Sequence, residues 1–284
     1  MLNRRRGIIV LVKFLSLLPK KMAHQILYYV FFRKKLDLSN PMSLNEKIHW
    51  LEVYQYGARE AMLTDKILVK EYIAKLGISD LYVPKTYRVL DSTEKEKIYD
   101  YPDKFVMKCN HGSGDVFVCE KKQDFEYALN KLKILKKQDF SKKLLEYHYS
   151  LIKPEIMCEE FLEEFDNGFP LDYKFFCFNG DVKCVMVCSN RKNGYKATFF
   201  DRNWHILDYS THPSDVELVK PKNFERMWEV ASEISKEEKF VRVDLYNING
   251  KIYFSEMTFS PAAGLSTTYT KEADNILGSY LKLS

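Results

Sequence analysis

No two of the six cysteines, Cys109, Cys119, Cys158, Cys177, Cys184 and Cys188, form a C-x-x-C pair, and no histidines stand near them at zinc-site spacing. A disulfide framework belongs to short secreted domains, so these cysteines, mostly inside β-like apolar runs, read as buried thiols of a reducing cytosol. A secretory signal with a small-residue processing site is missing as well. The apolar run near the N-terminus is too short and interrupted to span a bilayer, which takes roughly 20 residues. No internal repeat or low-complexity tract is evident. Three nucleotide signatures are absent too: a Walker-type loop with its lysine and following helix, a glycine-rich Rossmann fingerprint, and the Asp-x-Asp pair common in metal-dependent sugar transfer.

What is present suits a folded enzyme. At 284 residues and 46% hydrophobic content the chain can bury one large or two modest cores. Its net charge of +5 is modest and the basic residues mostly alternate with acidic ones, which argues against a nucleic-acid partner. Three regions follow from the patterning. Residues 1 to about 80 read as helical: Ser43 and Glu46 make a capping box for a helix through Tyr54, and Thr64-Asp65 opens another that Gly77 closes. Residues 81–155 bring short β runs at 104–109 and 116–119 and a lysine-rich helix at 124–137. Residues 156–284 bring strands at 172–178 and 182–188 joined by Asn179-Gly180, a strand near 195–200, a helix from about Asn223 to Ser235, and a final ribbon.

That ribbon carries the strongest chemical signal. Val241-Arg242-Val243-Asp244-Leu245 and Lys251 to Phe259 confine their charges to alternate positions of apolar strands, so the charges project from one face. The turn at Asn249-Gly250 decides which residues meet. A two-residue loop pairs Asp244 with Ser255 and sends Glu256 to the far face. A three-residue loop with left-handed Gly250 and a bulge sets Arg242 opposite Glu256 and Asp244 opposite Phe254. The second register puts Arg242, Asp244, Glu256 and Thr258 on one face, where two carboxylates and a hydroxyl suit Mg²⁺ and the guanidinium suits a transferring phosphoryl group. An exposed hairpin with scattered charges is the plainer alternative.

The second constellation is Lys104 to Asp115: a strand carrying Lys108, then Asn110-His111-Gly112-Ser113-Gly114, then a second strand. Such a glycine-rich flap can lie over a nucleotide triphosphate, its amides near the phosphates and the strand lysine on the α and β oxygens. An ordinary hairpin turn is the alternative. His111 suits a phosphate contact or a backbone hydrogen bond equally. Arg191-Lys192-Asn193-Gly194 suits an anionic acceptor or a solvated turn, while His205 and His212 belong on the surface. At the N-terminus, Arg4-Arg5-Arg6 and an apolar stretch broken by Lys13 lead to Arg33-Lys34-Lys35. Residues 1–35 fit a peripheral anchor on anionic lipid, or, as amphipathic helices more commonly do, a helix pair packed on the body.

With both elements in view, the chain from Pro41 onward resembles the ATP-grasp enzymes, and within them the TupA-like branch associated with teichuronopeptide and capsular polysaccharide biosynthesis. The resemblance rests on Ser43-Leu44-Asn45-Glu46-Lys47, Asp65-Lys66, Asp103 to Gly114, Glu159-Glu160-Phe161-Leu162, Asp172 to Gly180 and Val241 to Phe259. It implies an α+β fold whose two lobes clamp ATP, with a helical N-terminal region. Lys66 and Lys108 would be the phosphate-binding lysines, with His111, Gly112, Ser113 and Gly114 as the flap. Glu159, Glu160 and Leu162 would form the hinge to adenine and ribose, and Asp172 and Lys174 would face the nucleotide from the second lobe. Asp244 and Glu256 would bind Mg²⁺, and Arg242 would stabilise an acyl-phosphate. Many such enzymes carry Glu-x-Asn, whereas Thr258 stands in the third position here. The implied activity is a cytoplasmic ligase joining a carboxylate, such as a uronic acid of a surface glycan, to an amine. A phosphotransferase using the same ATP site and a glycosyltransferase of a polysaccharide cluster are the alternatives.

Overall fold

Alternation along the strands decides what each face covers, and two sheets result. The computed structural model describes residues 11–90, 101–112, 114–162, 171–189 and 195–283. The Arg4-Arg5-Arg6 run, Ser113 and Arg191 to Gly194 lie outside the described residues.

The smaller sheet has the order β2-β5-β3-β4, built from β2 (Thr86–Leu90), β3 (Phe105–Cys109), β4 (Val116–Cys119) and β5 (Ile156–Glu160). On β3, Phe105, Met107 and Cys109 turn inward and pack with Phe125, Ala128 and Leu132 of the Lys122–Lys136 helix. Val106 and Lys108 therefore face the other way. β5 starts where the sequence suggests the second lobe to begin, yet it is paired with β2 and β3, so this strand belongs to the first sheet.

The larger sheet has seven strands in the order β1-β11-β10-β6-β7-β8-β9. Its members are β1 (Leu81–Tyr82), β6 (Asp172–Phe178), β7 (Asp181–Ser189), β8 (Lys196–Phe200), β9 (Ile206–Leu207), β10 (Phe240–Ile248) and β11 (Lys251–Thr258). Its central strands are apolar on both sides because helices lie on both. Phe175, Val241, Val243 and Leu245 pack with helices Phe224–Ser235 and Leu68–Leu76, burying Phe224, Met227, Ala231, Val69 and Ile73. Phe176, Phe178 and Phe240 pack the opposite way onto helices Leu44–Tyr54 and Lys271–Tyr280. Arg242, Asp244, Lys174 and Asp172 follow in the alternation of that second face, beyond the reach of its helical cover.

The N-terminal helices dock on this body. Helix Leu44–Tyr54 opens with the expected capping box: Glu46 N donates to Ser43 Oγ at 3.3 Å and Ser43 N to Glu46 Oε2 at 3.2 Å. Helix Leu68–Leu76 ends at Gly77, whose φ of 67° is a left-handed C-cap. Helix Lys20–Phe32 buries Ala23, His24, Leu27 and Tyr28. Among the described residues, no helix is long and apolar enough to cross a membrane. All six cysteines are buried and free, as the sequence suggests.

The final hairpin departs from expectation. Ile248 pairs with Lys251, so the loop is the two-residue Asn249-Gly250, both with positive φ (52° and 76°). The irregularity sits inside β11: Leu245 pairs with Phe254 and Asp244 with Glu256, leaving Ser255 as an extra, unpaired residue. Arg242 therefore lies opposite Thr258, not Glu256, and Asp244 opposite Glu256, not Phe254. The parity change is visible in burial. Before the bulge Ile252 and Phe254 enter the core, and after it Met257 and Phe259 do. The four side chains expected on one face thus share it, by a bulge in the strand rather than in the turn.

Candidate active site

The two sheets face one another across a cleft, and the loops between the helical region and β3 tie them together. Lys66 N donates to Asn110 O at 3.1 Å, and Asn110 Nδ2 donates to Asp65 Oδ2 at 2.9 Å. Asp65 also steadies the turn into the next helix, its Oδ1 accepting from Ile67 N at 2.8 Å and from Leu68 N at 3.3 Å. That brace sets Lys66 beneath the flap, where its Nζ donates to Gly112 O at 2.7 Å. Gly112 has φ of 82°, and a Cβ there would come within 2.6 Å of the Phe140 ring, so the flap's close approach requires glycine.

A cavity of about 500 Å³ opens below the flap. Lys66, Lys108, His111, Gly112, Gly114 and Asp115 line it from one side, and Asp172, Lys174, Asp244 and Glu256 from the other. An adjoining recess of about 120 Å³ shares Lys66 and Lys108 with it. Val106, Val118, Phe161, Leu162 and Phe254 give that recess apolar walls, with Glu159 and Glu160 at its edge. A recess with apolar walls beside a chamber that carries lysines suits a base and its phosphates.

The charges of the larger sheet are matched closely. Arg242 donates through Nε to Asp244 Oδ1 and through Nη2 to Asp244 Oδ2, each at 2.7 Å, a bidentate pair. Lys174 bonds to Asp244 as well and pairs with Asp172 at 2.8 Å. Asp244 has no exposed surface. Arg242 Nη2 further approaches Thr258 Oγ1 at 3.0 Å and Glu256 Oε1 at 3.3 Å, and Thr258 Oγ1 donates to Glu256 Oε1 at 3.1 Å. Burial alone would raise the Glu256 carboxyl, but Lys66, Lys174 and Arg242 outweigh it and bring its pKa down to about 2. Burial pulls Lys66 below its ordinary value, against the carboxylates of Glu256 and Glu159. Lys174 moves up: burial opposes it, and Asp244 prevails.

Most of the residues singled out by sequence thus meet in one place. Lys66, Lys108, His111, Gly112, Gly114, Asp172, Lys174, Asp244 and Glu256 line the chamber, and Glu159, Glu160 and Leu162 line the recess. Arg242 and Thr258 are absent from the lining of both, standing behind Asp244 and Glu256. His111 is buried, its pKa lowered first by burial, and its ring meets Phe140 edge-on. His205 and His212 are exposed as expected. Lys70 and Ser255 escaped sequence reasoning. Lys70 carried a signal all the same, since it lies one helical turn past Lys66.

Residues 46–282 match the family described as TupA-like ATPgrasp. The chain belongs to that family, and its two sheets with their covering helices make an α+β fold. No curated protein matches it in sequence. Among solved structures it is similar to the D-alanine–D-alanine ligase of Bacillus anthracis complexed with ATP, at 15% identity over 77% of this chain and 61% of that one, with a TM-score of 0.49. It is similar also to the D-alanine–D-alanine ligase of Helicobacter pylori (15% identity, 86% and 69% covered, TM-score 0.48). A third is the VanG D-Ala:D-Ser ligase of Enterococcus faecalis (15% identity, 79% and 62% covered, TM-score 0.49). The chain spans about three fifths of the length of the B. anthracis ligase.

Proposed function

We propose that this chain is an ATP-dependent carboxylate–amine ligase that forms an amide through an acyl-phosphate, on a uronic acid or related group of a cell-surface polysaccharide. One observation carries the chemistry: Lys66, Lys108 and the flap face Asp244 and Glu256 across a single chamber. The carbohydrate acceptor rests on the family resemblance alone. In this reading Lys66 and Lys108 hold the phosphates and the flap lies over them. The recess takes adenine between Val106, Val118 and Phe254, with the backbone of Glu160 to Leu162 at its edge.

A bare carboxylate resists amines because oxide is a poor leaving group. Attack of the acceptor's carboxylate oxygen on the γ-phosphorus, with ADP leaving, turns that oxygen into part of a phosphate leaving group. The amine then attacks the acyl carbon, loses a proton and expels phosphate. This chain's residues mainly neutralise and align: Lys66 and Lys108 spread the phosphate charge, and Arg242 holds Asp244 in place. A divalent ion fits the donor set. Asp244 and Glu256 present two charged oxygen ligands, and among the described residues no third metal-type side chain joins them. Such a set suits Mg²⁺, which commonly binds through one or two carboxylates plus substrate phosphates. Bound there, Mg²⁺ would neutralise phosphate charge. Thr258, with its hydroxyl shared between Arg242 and Glu256, would serve as a ligand only by giving up those bonds.

Incubation with ATP, Mg²⁺ and a panel of uronic acids and amines tests the reading. ADP, free phosphate and an amide are expected. ADP with a phosphorylated acceptor would make the chain a kinase, and turnover of a nucleotide sugar without ATP would make it a glycosyltransferase.

The same reading places the enzyme in the cytoplasm, in peripheral contact with the inner membrane face through residues 1–35. Residues 1–36 hold nine Lys and Arg and no acidic residue, whereas the other 248 hold 35 basic against 39 acidic. Phe14 and Leu17 are 69% and 80% exposed beside Lys13, Lys20 and Lys21. Apolar side chains flanked by cations suit anionic lipid. Co-sedimentation with phosphatidylglycerol vesicles, lost in Phe14→Ser/Leu17→Ser, supports the contact; equal pelleting of both proteins ends it.

A further inference from the structure

Lys70 has no part in the reading above. It stands on helix Leu68–Leu76, in the helical region rather than in the four-stranded sheet. Its ammonium has three N–H groups and meets three oxygens: Pro84 O at 2.6 Å, Thr86 Oγ1 at 2.7 Å and Glu159 Oε2 at 2.6 Å. The other oxygen of that carboxylate, Oε1, accepts from Lys108 Nζ at 2.5 Å. The side chains of Lys70, Glu159 and Lys108 are only 15%, 10% and 16% exposed. Burial lowers the pKa of Lys70. For Glu159 burial works upward, but Lys108 and Lys70 overcome it and keep the carboxyl below its ordinary range.

The arrangement runs as a chain. Backbone and hydroxyl oxygens at Pro84 and Thr86 fix Lys70, Lys70 fixes one edge of Glu159, and the other edge fixes Lys108. A lysine on four rotatable carbons points at a phosphate reliably only if something else holds its head, because each free rotamer is entropy lost on binding. Glu159 gives one acceptor site of each oxygen to a lysine, and those two bonds hold its carboxylate between them. We propose that Lys70 and Glu159 are positioning residues, which together aim the Lys108 ammonium at the phosphates of the bound nucleotide. This rests on the nucleotide reading of the cleft. It adds a residue outside the glycine-rich flap and gives Glu159 a task besides lining the recess.

Calorimetric titration of the full chain with ATP and with adenosine tests it, using wild type, Lys70→Met, Lys108→Met and the double variant. Lys70→Met is expected to weaken ATP about tenfold and leave adenosine unchanged. The double variant should bind ATP as Lys108→Met alone does, since Lys70 acts only through Lys108. Losses that multiply in the double variant, or adenosine affinity that falls in step with ATP, overturn the positioning role. Glu159→Gln keeps the shape and loses the charge, so it makes the same comparison should Lys70→Met not fold: ATP falls and adenosine holds, or the proposal fails. A wild type that binds neither compound defeats the nucleotide reading itself. A wild type that binds ATP, with Lys70→Met within twofold of it, defeats only the positioning role.

Discussion

Glu146 offers a sharp pH test. It precedes the 3-10 turn Tyr147–Leu151, is buried, and its Oε1 accepts from Ser260 Oγ at 2.6 Å, two residues beyond Thr258. Burial pushes its pKa from 4.5 up to about 7, helped by Glu52 and opposed by Ser260, His148 and Lys143. A carboxyl raised in the folded state is protonated in both states below pH 4.5, so stability there is undiminished. Between pH 4.5 and about 7 the unfolded chain ionises while the folded one keeps its proton, and stability falls as pH rises. The gap from 4.5 to about 7, at about 1.36 kcal/mol per unit, makes the full loss about 3 kcal/mol. Glu146→Gln stays neutral and keeps a carbonyl for Ser260. Its Tm is therefore expected to match wild type near pH 4.5 and to exceed it near pH 8 by roughly 6 °C, taking about 2 °C per kcal/mol for a chain of this size. His148 titrates in both proteins: burial opposes its charge, but Glu52, 2.9 Å away, holds it above its usual range. Scanning calorimetry across that range decides. Tm curves that stay parallel refute the assignment of the raised pKa to Glu146.

Two further outcomes concern the cleft. Asp244→Asn removes the charge that pairs Arg242 and Lys174, so ADP release should vanish and stability should fall by about 3 kcal/mol in calorimetry. ADP release at the wild-type rate would strip Asp244 of its role. Gly112→Ala forces a left-handed alanine against the Phe140 ring, at a strain of about 1–3 kcal/mol that displaces the flap. ATP affinity should drop about tenfold by titration, and a change within twofold would show that the flap does not touch the nucleotide.

The legible part of this chain was whatever repeats locally. Alternation set the faces of β3, β6 and β10, the Ser43 and Glu46 pair set a helix start, and the spacing of Arg242, Asp244, Glu256 and Thr258 announced a shared face. The ribbon's register was not legible, because one strand residue and one turn residue shift parity alike, and sequence does not say which was added. Sheet membership was hidden for a similar reason. β5 reads as the start of a new unit, yet nothing local shows that Val106 and Met107 will pair with Glu159 and Cys158. Lys70 was hidden because its partners, Pro84, Thr86 and Glu159, are up to 89 residues away in sequence. Arg242 was found, but its place behind Asp244 rather than in the cavity lining depends on packing that strand pattern does not encode.

Ser255 gives the ribbon a memory of odd and even. With Asn249-Gly250 closing the far end in the shortest possible way, setting Ser255 aside in a bulge keeps the acids of both arms looking into the cleft. Straightening the bulge, with Ser255 kept and paired to Asp244, would set Ser255 in the chamber in place of Glu256 and carry the Glu256 carboxylate into oil. A homologue without the extra residue keeps Glu256 opposite Asp244 across the same two-residue tip and needs no bulge, so strand length and strand defect should vary together through evolution.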